Sequence, residues 1–194
     1  FEELTRTAYF RDPDAVKLID YFERALARIF STIDDLSAIV QVQRQNQEMP
    51  AETVLIAPLV AEVLGSLQDQ IKPAGATFEL DFATYPAISF VRPNLQSVFF
   101  NLISNSLKYA APGRAPRIRL SCTPDTLTGR PIIAVQDNGL GINMERFGPQ
   151  LFQLFRRFHS HVEGTGMGLY LSLKLAGLMQ GALRFESQFG VGST

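Results

Sequence analysis

The chain has 194 residues, a hydrophobic fraction of 46% and a formal net charge of −1 at pH 7, which suits one large domain or one domain with an appendage. The near-neutral charge argues against nucleic acid as a partner, because phosphate backbones attract clustered Lys and Arg. With Cys122 as the single cysteine and no apolar stretch of the roughly 18–20 residues that span a membrane, we expect a cytoplasmic protein without direct membrane contact.

A long amphipathic helix is predicted over 14–45. Its large apolar residues recur in alternating steps of three and four, the spacing of a seam that packs along another helix. The seam consists of Ile19, Phe22, Leu26, Ile29, Ile33, Leu36 and Val40. A seam of this length is typical of a helical hairpin or a dimeric bundle, and a helix docked on its own domain is the alternative.

From about Met49 the pattern changes to short strands and helices. We predict strands at 54–56, 76–82, 117–123, 131–137 and 182–188, and helices at 58–71, 93–109 and 168–179. Helices packed on a mixed sheet fit this order, whereas strict alternation of strand and helix does not. The sequence therefore predicts an α+β domain over 49–194, preceded by a helical unit over 1–48.

The predicted helix 93–109 carries two asparagines on one face. Asn101 and Asn105 are four residues apart, and Lys108 follows near the helix end. An asparagine carbonyl oxygen suits Mg²⁺ when phosphates supply the negative charge, and Lys108 would meet phosphate as a point charge. A solvated polar face is the alternative. Because the rest of the helix is strongly apolar, we expect the asparagines to edge a cleft.

Two glycine loops are the most informative feature of the chain. The first, Asp137-Asn-Gly-Leu-Gly141, follows an apolar run, so the Asp137 carboxylate would sit at a strand end and accept from an amine on a flat ligand. The second, Gly164-Thr-Gly-Met-Gly168, opens onto a helix, whose unpaired N–H groups and dipole favour an anion. The sequence has no Gly-Lys pair, which excludes a P-loop. Together the loops indicate a nucleotide site.

Five stretches in order resemble the N, G1, F, G2 and G3 boxes of sensor histidine kinases, within the ATPase superfamily of gyrase, Hsp90, histidine kinase and MutL. They are NLISNSLKY at 101–109, DNGLG at 137–141, LFQLFRRF at 151–158, GTGMG at 164–168 and GVGST at 190–194. The resemblance implies a Bergerat-type two-layer α/β sandwich. It makes 49–194 an ATP-binding catalytic domain lacking its last strand, and 1–48 part of a dimerisation and phosphotransfer hairpin.

The resemblance also implies a role for each matching residue. Asp137 would accept from the adenine amine. Asn105 would ligate Mg²⁺, with Asn101 beside it and Lys108 as a third catalytic residue contacting phosphate. The segment 143–163 would be a mobile lid over ATP, hinged at its glycines, pinned by Phe152, Phe155 and Phe158, and aiming two arginines at the γ-phosphate. The other implied ATP-binding residues are Tyr109, Gly139, Gly141, Ile142, Arg156, Arg157, Gly164, Thr165, Gly166, Met167, Gly168, Leu169 and Thr194.

The residue at position 101 separates branches of this superfamily. Hydrolytic members carry a glutamate there as general base toward water, whereas Asn101 cannot take a proton at neutral pH. Asn101 therefore favours phosphoryl transfer to a protein nucleophile over hydrolysis, and it disfavours a GHL-type ATPase motor. The long seam counts against a serine kinase of the anti-sigma type. We expect a protein histidine kinase, and the alternative is a pseudokinase or nucleotide-binding dimeric signalling module.

The phosphoacceptor histidine is the missing part of the pattern. His159 and His161, the histidines of the sequence, fall inside the presumed lid, so we expect the acceptor upstream of Phe1 or absent. The resemblance implies a homodimer through the helical hairpin, a response-regulator receiver domain as partner, and a sensor domain upstream.

Overall fold

The computed structural model describes residues 50–156 and 165–194 and, nearer the N-terminus, residues 16–23, 25–26, 29–30, 33 and 37. The chain divides into two compact units, Phe1–Ala38 and Ile39–Thr194. Every described residue of the first unit is helical, which agrees with the predicted helix at those positions. Within this unit, the seam residues Ile29 and Ile33 are 54% and 51% exposed. Leu36 and Val40 lie outside the described residues.

The second unit contains short strands interleaved with helices. In chain order its elements are β1 (Glu52–Leu55), α1 (Ile56–Ser66), α2 (Gln68–Ala74), β2 (Thr77–Asp81), β3 (Ala87–Phe90), α3 (Arg92–Lys108), β4 (Arg117–Pro124), β5 (Pro131–Asp137), α4 (Met144–Phe147), a 3₁₀ turn (Gly148–Gln150), α5 (Gly168–Leu178), β6 (Ser187–Gln188) and β7 (Gly192–Ser193). Within the described ranges, no helix combines the length and the apolar character that crossing a membrane requires.

Five strands form one mixed sheet in the order β2-β4-β5-β7-β6. β2 runs parallel to β4, and the other neighbours are antiparallel. β1 and β3 pair in a separate antiparallel sheet. The parallel pair needs a crossover connection, and α3 is part of it. A mixed sheet packed on helices confirms the predicted α+β sandwich.

The core lies between the sheet and the helices. Along β4, Ile118, Leu120 and Cys122 are buried and alternate with more exposed residues, as expected for a strand with one covered face. From α3, Phe99 and Ile103 are buried in the same cluster, and burying side chains of this size contributes about 1.5–3 kcal/mol each. This packing fixes the rotation of α3 about its axis and therefore the position of its polar face.

Two predicted elements differ from the structure. The predicted helix 58–71 is broken at Leu67 into α1 and α2, where the Ser66 hydroxyl donates to the Val63 carbonyl at 2.8 Å and competes with helix continuation. The predicted strand 182–188 forms a strand only at Ser187–Gln188. Strands β3 and β7 and helix α4 were not predicted, because each is too short to show a periodic pattern.

Candidate functional site

Asp137 ends β5 at the start of the first glycine loop. Its Oδ1 accepts from the backbone N–H groups of Gly139 at 2.8 Å and Ser193 at 3.3 Å. Its Oδ2 lies 3.4 Å from the Ser106 hydroxyl on α3, which also lies 3.1 Å from the Leu102 carbonyl and shares its one proton between the two acceptors. Donors from a loop, a strand and a helix thus orient the carboxylate, and Oδ2 retains the capacity to accept from a ligand.

Burial is the main influence on the charge of this carboxylate. It raises the pKa of Asp137 above the usual aspartate value. The hydrogen bonds from Gly139, Ser193 and Ser106 and the positive charge of Arg114 act in the opposite direction. Because only the ionised form is purely an acceptor, the site loses that form as pH falls through the raised pKa.

The first glycine loop packs too closely for side chains. A Cβ on Gly139 would lie 2.5 Å from the Tyr109 carbonyl oxygen, which also accepts from the Leu140 N–H at 2.9 Å. Gly141 has a φ of +63°, and a Cβ there would collide with the Gln188 carbonyl. The glycines are therefore required by close approach to the end of α3 and to the β6–β7 hairpin.

Arg114 links this loop to the β6–β7 hairpin. Its Nη2 donates to the carbonyl oxygens of Gly139 at 2.7 Å and Gly190 at 3.4 Å. The Gly190 N–H donates in turn to the Leu140 carbonyl at 2.7 Å. Sequence reasoning missed Arg114 because it belongs to no motif, and it missed the roles of Ser106 and Ser193 although both lie within recognised boxes.

The asparagine face of α3 lies against the start of α5. A Cβ on Gly168 would be 3.4 Å from Asn101 Oδ1 and 3.7 Å from Asn105 Nδ2. Both asparagine side chains are half-buried, and neither forms a hydrogen bond within the described part of the chain. The structure therefore brings the predicted metal-binding face and the end of the second glycine loop together, with amide groups available to a ligand.

The second glycine loop contacts the chain just before the segment 157–164. Gly166 has a φ of +75°, and a Cβ there would lie 2.7 Å from the Arg156 carbonyl oxygen. The Met167 side chain is 1% exposed and is therefore part of the core. Of the ATP contacts predicted for Met167, only those of its backbone remain possible.

The predicted lid, 143–163, is only partly described. It begins as α4, whose N-cap Asn143 accepts from the Arg146 N–H at 3.0 Å, rather than as an irregular loop. Phe155 is 55% exposed and therefore does not pin the segment, which corrects the expectation; Leu151, at 4%, is the buried anchor. Phe158, with the two histidines, lies outside the described residues.

The remaining predicted site residues lie in several different elements. Lys108 is exposed at the end of α3, and the Ile142 N–H donates to the Ser187 hydroxyl at 2.8 Å. The Arg156 Nε donates to Gln153 at 3.3 Å. The backbone of Thr194 pairs with Glu186, so its neighbour Ser193 makes the contact with Asp137. Tyr109, Thr165 and Leu169 are half-buried, and Arg157 and Gly164 lie outside the described residues.

The asparagine side chains beside α5 could hold a cation only if a bound ligand supplied further oxygen atoms. Among the described residues there is no cluster of three His, Cys, Asp or Glu that could hold a metal ion. Asn101 and Asn105 supply neutral carbonyl oxygens, which fit Mg²⁺ when phosphate oxygens complete the shell. The chain thus offers a carboxylate at one end of the site, and amide oxygens and a helix N-terminus at the other.

The chain resembles known proteins in sequence and in fold. Residues 91–194 match the model of the family described as histidine kinase-, DNA gyrase B- and HSP90-like ATPase. The chain is 33% identical to phytochrome-like protein Cph1 of Synechocystis sp., covering 94% of this chain and 24% of that protein. It is 30% identical to sensor histidine kinase AtsR of Burkholderia thailandensis, covering 92% of this chain and 30% of that protein.

A solved structure shares the fold. Full-length ShkA, determined in complex with AMPPNP, superposes with a TM-score of 0.71 at 18% identity, covering 94% of this chain and 38% of ShkA. The chain therefore spans about a quarter to two fifths of the length of the relatives compared with it.

Proposed function

Because the chain belongs to the histidine kinase-, DNA gyrase B- and HSP90-like ATPase family, we propose that it is the ATP-binding catalytic core of a sensor histidine kinase. The observation that carries the proposal is the carboxylate of Asp137. Two backbone N–H groups occupy its Oδ1, and its Oδ2 keeps room for one more donor. This is the arrangement needed to read the exocyclic amine of adenine.

The opposite end of the site would hold the phosphates. The start of α5, an eleven-residue helix, supplies unpaired N–H groups and the positive end of a helix dipole. Lys108 would add a point charge, and the Asn105 carbonyl oxygen would ligate Mg²⁺. When bound, Mg²⁺ would neutralise charge on the transferred phosphoryl group. ShkA, a solved structure with the same fold, was determined with the ATP analogue AMPPNP, and we infer the same ligand class here.

The proposed reaction is transfer of the γ-phosphoryl group to a histidine outside this chain. Asn101, half-buried beside α5, supplies an amide rather than a carboxylate, so it offers no general base to activate water. Positioning and charge neutralisation are the main requirements of the transfer. The intact carboxylate and asparagines support kinase activity, and no observation favours a pseudokinase.

The proposal includes partners that the family relationship suggests. The exposed seam residues Ile29 and Ile33 favour a homodimer through a helical hairpin. A response-regulator receiver domain would accept the phosphoryl group, and an upstream sensor domain would control its transfer. Such a module would work in the cytoplasm, where ATP is available.

Binding of an ATP analogue tests the site. Asp137→Asn is expected to weaken binding by at least about a hundredfold, because an amide in place of the carboxylate removes charge and misplaces hydrogen-bond donors. Asp81→Asn is the matched control, since Asp81 also ends a strand of the sheet and is weakly paired, 3.5 Å from Arg119. Equal affinities of the two variants, measured by calorimetry, would refute the assignment.

Phosphoryl transfer is tested in the full-length protein. With γ-labelled ATP, the protein is expected to gain an acid-labile, base-stable phosphate, the stability pattern of phosphohistidine. Asn105→Ala should remove the signal and leave folding intact. Release of inorganic phosphate without labelled protein would instead indicate an ATPase.

A further inference from the structure

The two loops that hold Asp137 are joined by a side chain that the glycine motifs do not include. Gly139 belongs to the loop after β5, and Ser193 belongs to β7 at the end of the β6–β7 hairpin. Both donate to the same oxygen, Oδ1 of Asp137. The orientation of the carboxylate therefore depends on the distance between this loop and this hairpin.

Arg114 contributes to that distance, together with the hydrogen bond from the Gly190 N–H to the Leu140 carbonyl at 2.7 Å. Its Nη2 lies 2.7 Å from the Gly139 carbonyl oxygen and 3.4 Å from that of Gly190, so one nitrogen spans the loop and the hairpin. The Gly139 carbonyl belongs to the peptide next to the N–H that holds Asp137, and the Gly190 carbonyl lies three residues before Ser193 in the same hairpin. A charged donor to a carbonyl is stronger than a neutral one, and Arg114 also lowers the pKa of Asp137.

The segment that carries Arg114 is itself anchored to the same loop. The Arg114 N–H donates to the Ala111 carbonyl at 3.2 Å, which closes a turn after α3. The Asn138 side chain accepts from the Arg117 N–H at 2.8 Å and donates to the Ala115 carbonyl at 3.1 Å. The backbone on both sides of Arg114 is thus fixed, which directs its guanidinium across the loop and the hairpin.

We propose that Arg114 is a positioning residue for nucleotide recognition, acting through Gly139 and Gly190 to hold the Asp137 carboxylate toward adenine. The inference rests on the proposed function. Arg114 does not touch the nucleotide in this scheme; it sets the spacing of two backbone segments. Its removal should therefore weaken adenine recognition more than it weakens the fold, because Arg114 is an exposed residue outside the hydrophobic core.

The test compares Arg114→Ala with Arg117→Ala in the 194-residue chain. Each variant loses one positive charge, and the two positions are three residues apart in the sequence. The Arg117 side chain forms no hydrogen bond or ion pair within the described residues. We expect Arg114→Ala to bind an ATP analogue about three- to tenfold more weakly than Arg117→Ala. Arg114→Lys, which keeps the charge on a shorter donor, should restore part of the affinity.

Three readouts separate positioning from a general loss of structure. The preference for an ATP analogue over the GTP analogue should fall in Arg114→Ala, because a loosened carboxylate discriminates less between an amine and a carbonyl. The pH below which binding weakens should rise, because the charge that opposes the raised pKa of Asp137 is gone. The amide resonances of Gly139 and Ser193 should shift, while thermal unfolding stays close to that of Arg117→Ala.

The outcomes distinguish this inference from the proposed function. If the wild-type chain does not bind the analogue, or Asp137→Asn binds it unchanged, the proposed function fails and this inference fails with it. If both of those results are as expected but Arg114→Ala binds and discriminates like Arg117→Ala, only the role of Arg114 is overturned. Should Arg114→Ala not fold, the comparison of Arg114→Lys with Arg117→Lys decides in the same way.

Discussion

The two ends of the site are built differently. At the carboxylate end, hydrogen bonds from Gly139, Ser193 and Ser106 fix Asp137 before any ligand is present. At the other end, the side chains of Asn101 and Asn105 make no hydrogen bond within the described part of the chain. In the proposed assignment, this difference means that base recognition is preorganised, whereas the phosphate end is completed by its ligand. Substitutions that crowd the packed loop at the first end, such as Gly139→Ala, should therefore damage the fold and binding together, and substitutions of the two asparagines at the second end should damage binding alone.

Gly139→Ala should have the largest effect on both properties. The new Cβ would lie 2.5 Å from the Tyr109 carbonyl oxygen and 2.9 Å from Asp137 Oδ1, so the loop must move. We expect a loss of about 1–3 kcal/mol in the free energy of unfolding and at least about tenfold weaker nucleotide binding. Urea unfolding and calorimetry measure the two. Gly177→Ala is the control, because nothing lies within 4 Å of a Cβ there, and equal behaviour of the two variants would contradict the prediction.

Asn105→Ala should reduce binding without reducing stability. We expect Mg²⁺-dependent affinity for an ATP analogue to fall about tenfold or more, while the free energy of unfolding changes by less than about 0.5 kcal/mol. Titrations with and without Mg²⁺ measure the effect. Gln96→Ala, at an exposed position of the same helix, is the control. A loss of affinity that is equal in the absence of Mg²⁺ would argue against Asn105 as a metal ligand.

Acidification should weaken binding through the carboxylate end. Burial raises the pKa of Asp137, so its ionised form is lost at a pH above the ordinary aspartate value of 3.8. We expect affinity for an ATP analogue to fall as pH decreases through that raised pKa. Because the ligand's own phosphates also titrate, the wild type is compared with Asp137→Asn, whose affinity should lack this component. Parallel pH profiles of the two proteins would exclude Asp137 as its source.

The smallest expected effect concerns α5, at the phosphate end. The Ser172 hydroxyl is fully buried and is the one buried side-chain oxygen or nitrogen of the described residues without a hydrogen-bond partner. Ser172→Ala should therefore raise the free energy of unfolding by about 0.5–1 kcal/mol, because a buried polar group without a partner is costly. Urea unfolding measures it. A loss of stability would indicate that the hydroxyl has a partner in solution.

The sequence predicted elements well where one periodic pattern covers the whole element. Strands β4 and β5 and helices α3 and α5 lie within about a residue of the predicted bounds for this reason. The strand predicted at 182–188 was wrong over most of its length, because pairing there depends on the two-residue strand β7. Strand β7 begins at Gly192, whose backbone lies against the backbone of Asp137. The sequence near Gly192 contains no pattern that predicts this contact.

The same limit applies to the site. Asp137 and Asn105 were recognised because their motifs place them within short, characteristic stretches. Arg114 acts on Gly139 and Gly190, which lie 25 and 76 positions away along the chain. The family resemblance implied that Phe155 would pin the lid, but its backbone has a φ of +62° and its ring is exposed. Distance along the chain and backbone conformation, rather than residue type, decided both cases.

The separation between Asp137 and its donor Ser193 also has a consequence for the order of folding. The β4–β5 hairpin is local, with a turn closed by Asp125 and Arg130, so it is expected to form early. Ser193 lies 56 positions beyond Asp137 and reaches it only after the intervening chain has been folded back. We therefore expect the hydrogen bonds that hold the carboxylate to be completed late in folding. A nucleotide that binds the completed site would stabilise the native state by mass action, so added ATP analogue should slow unfolding more than it speeds refolding.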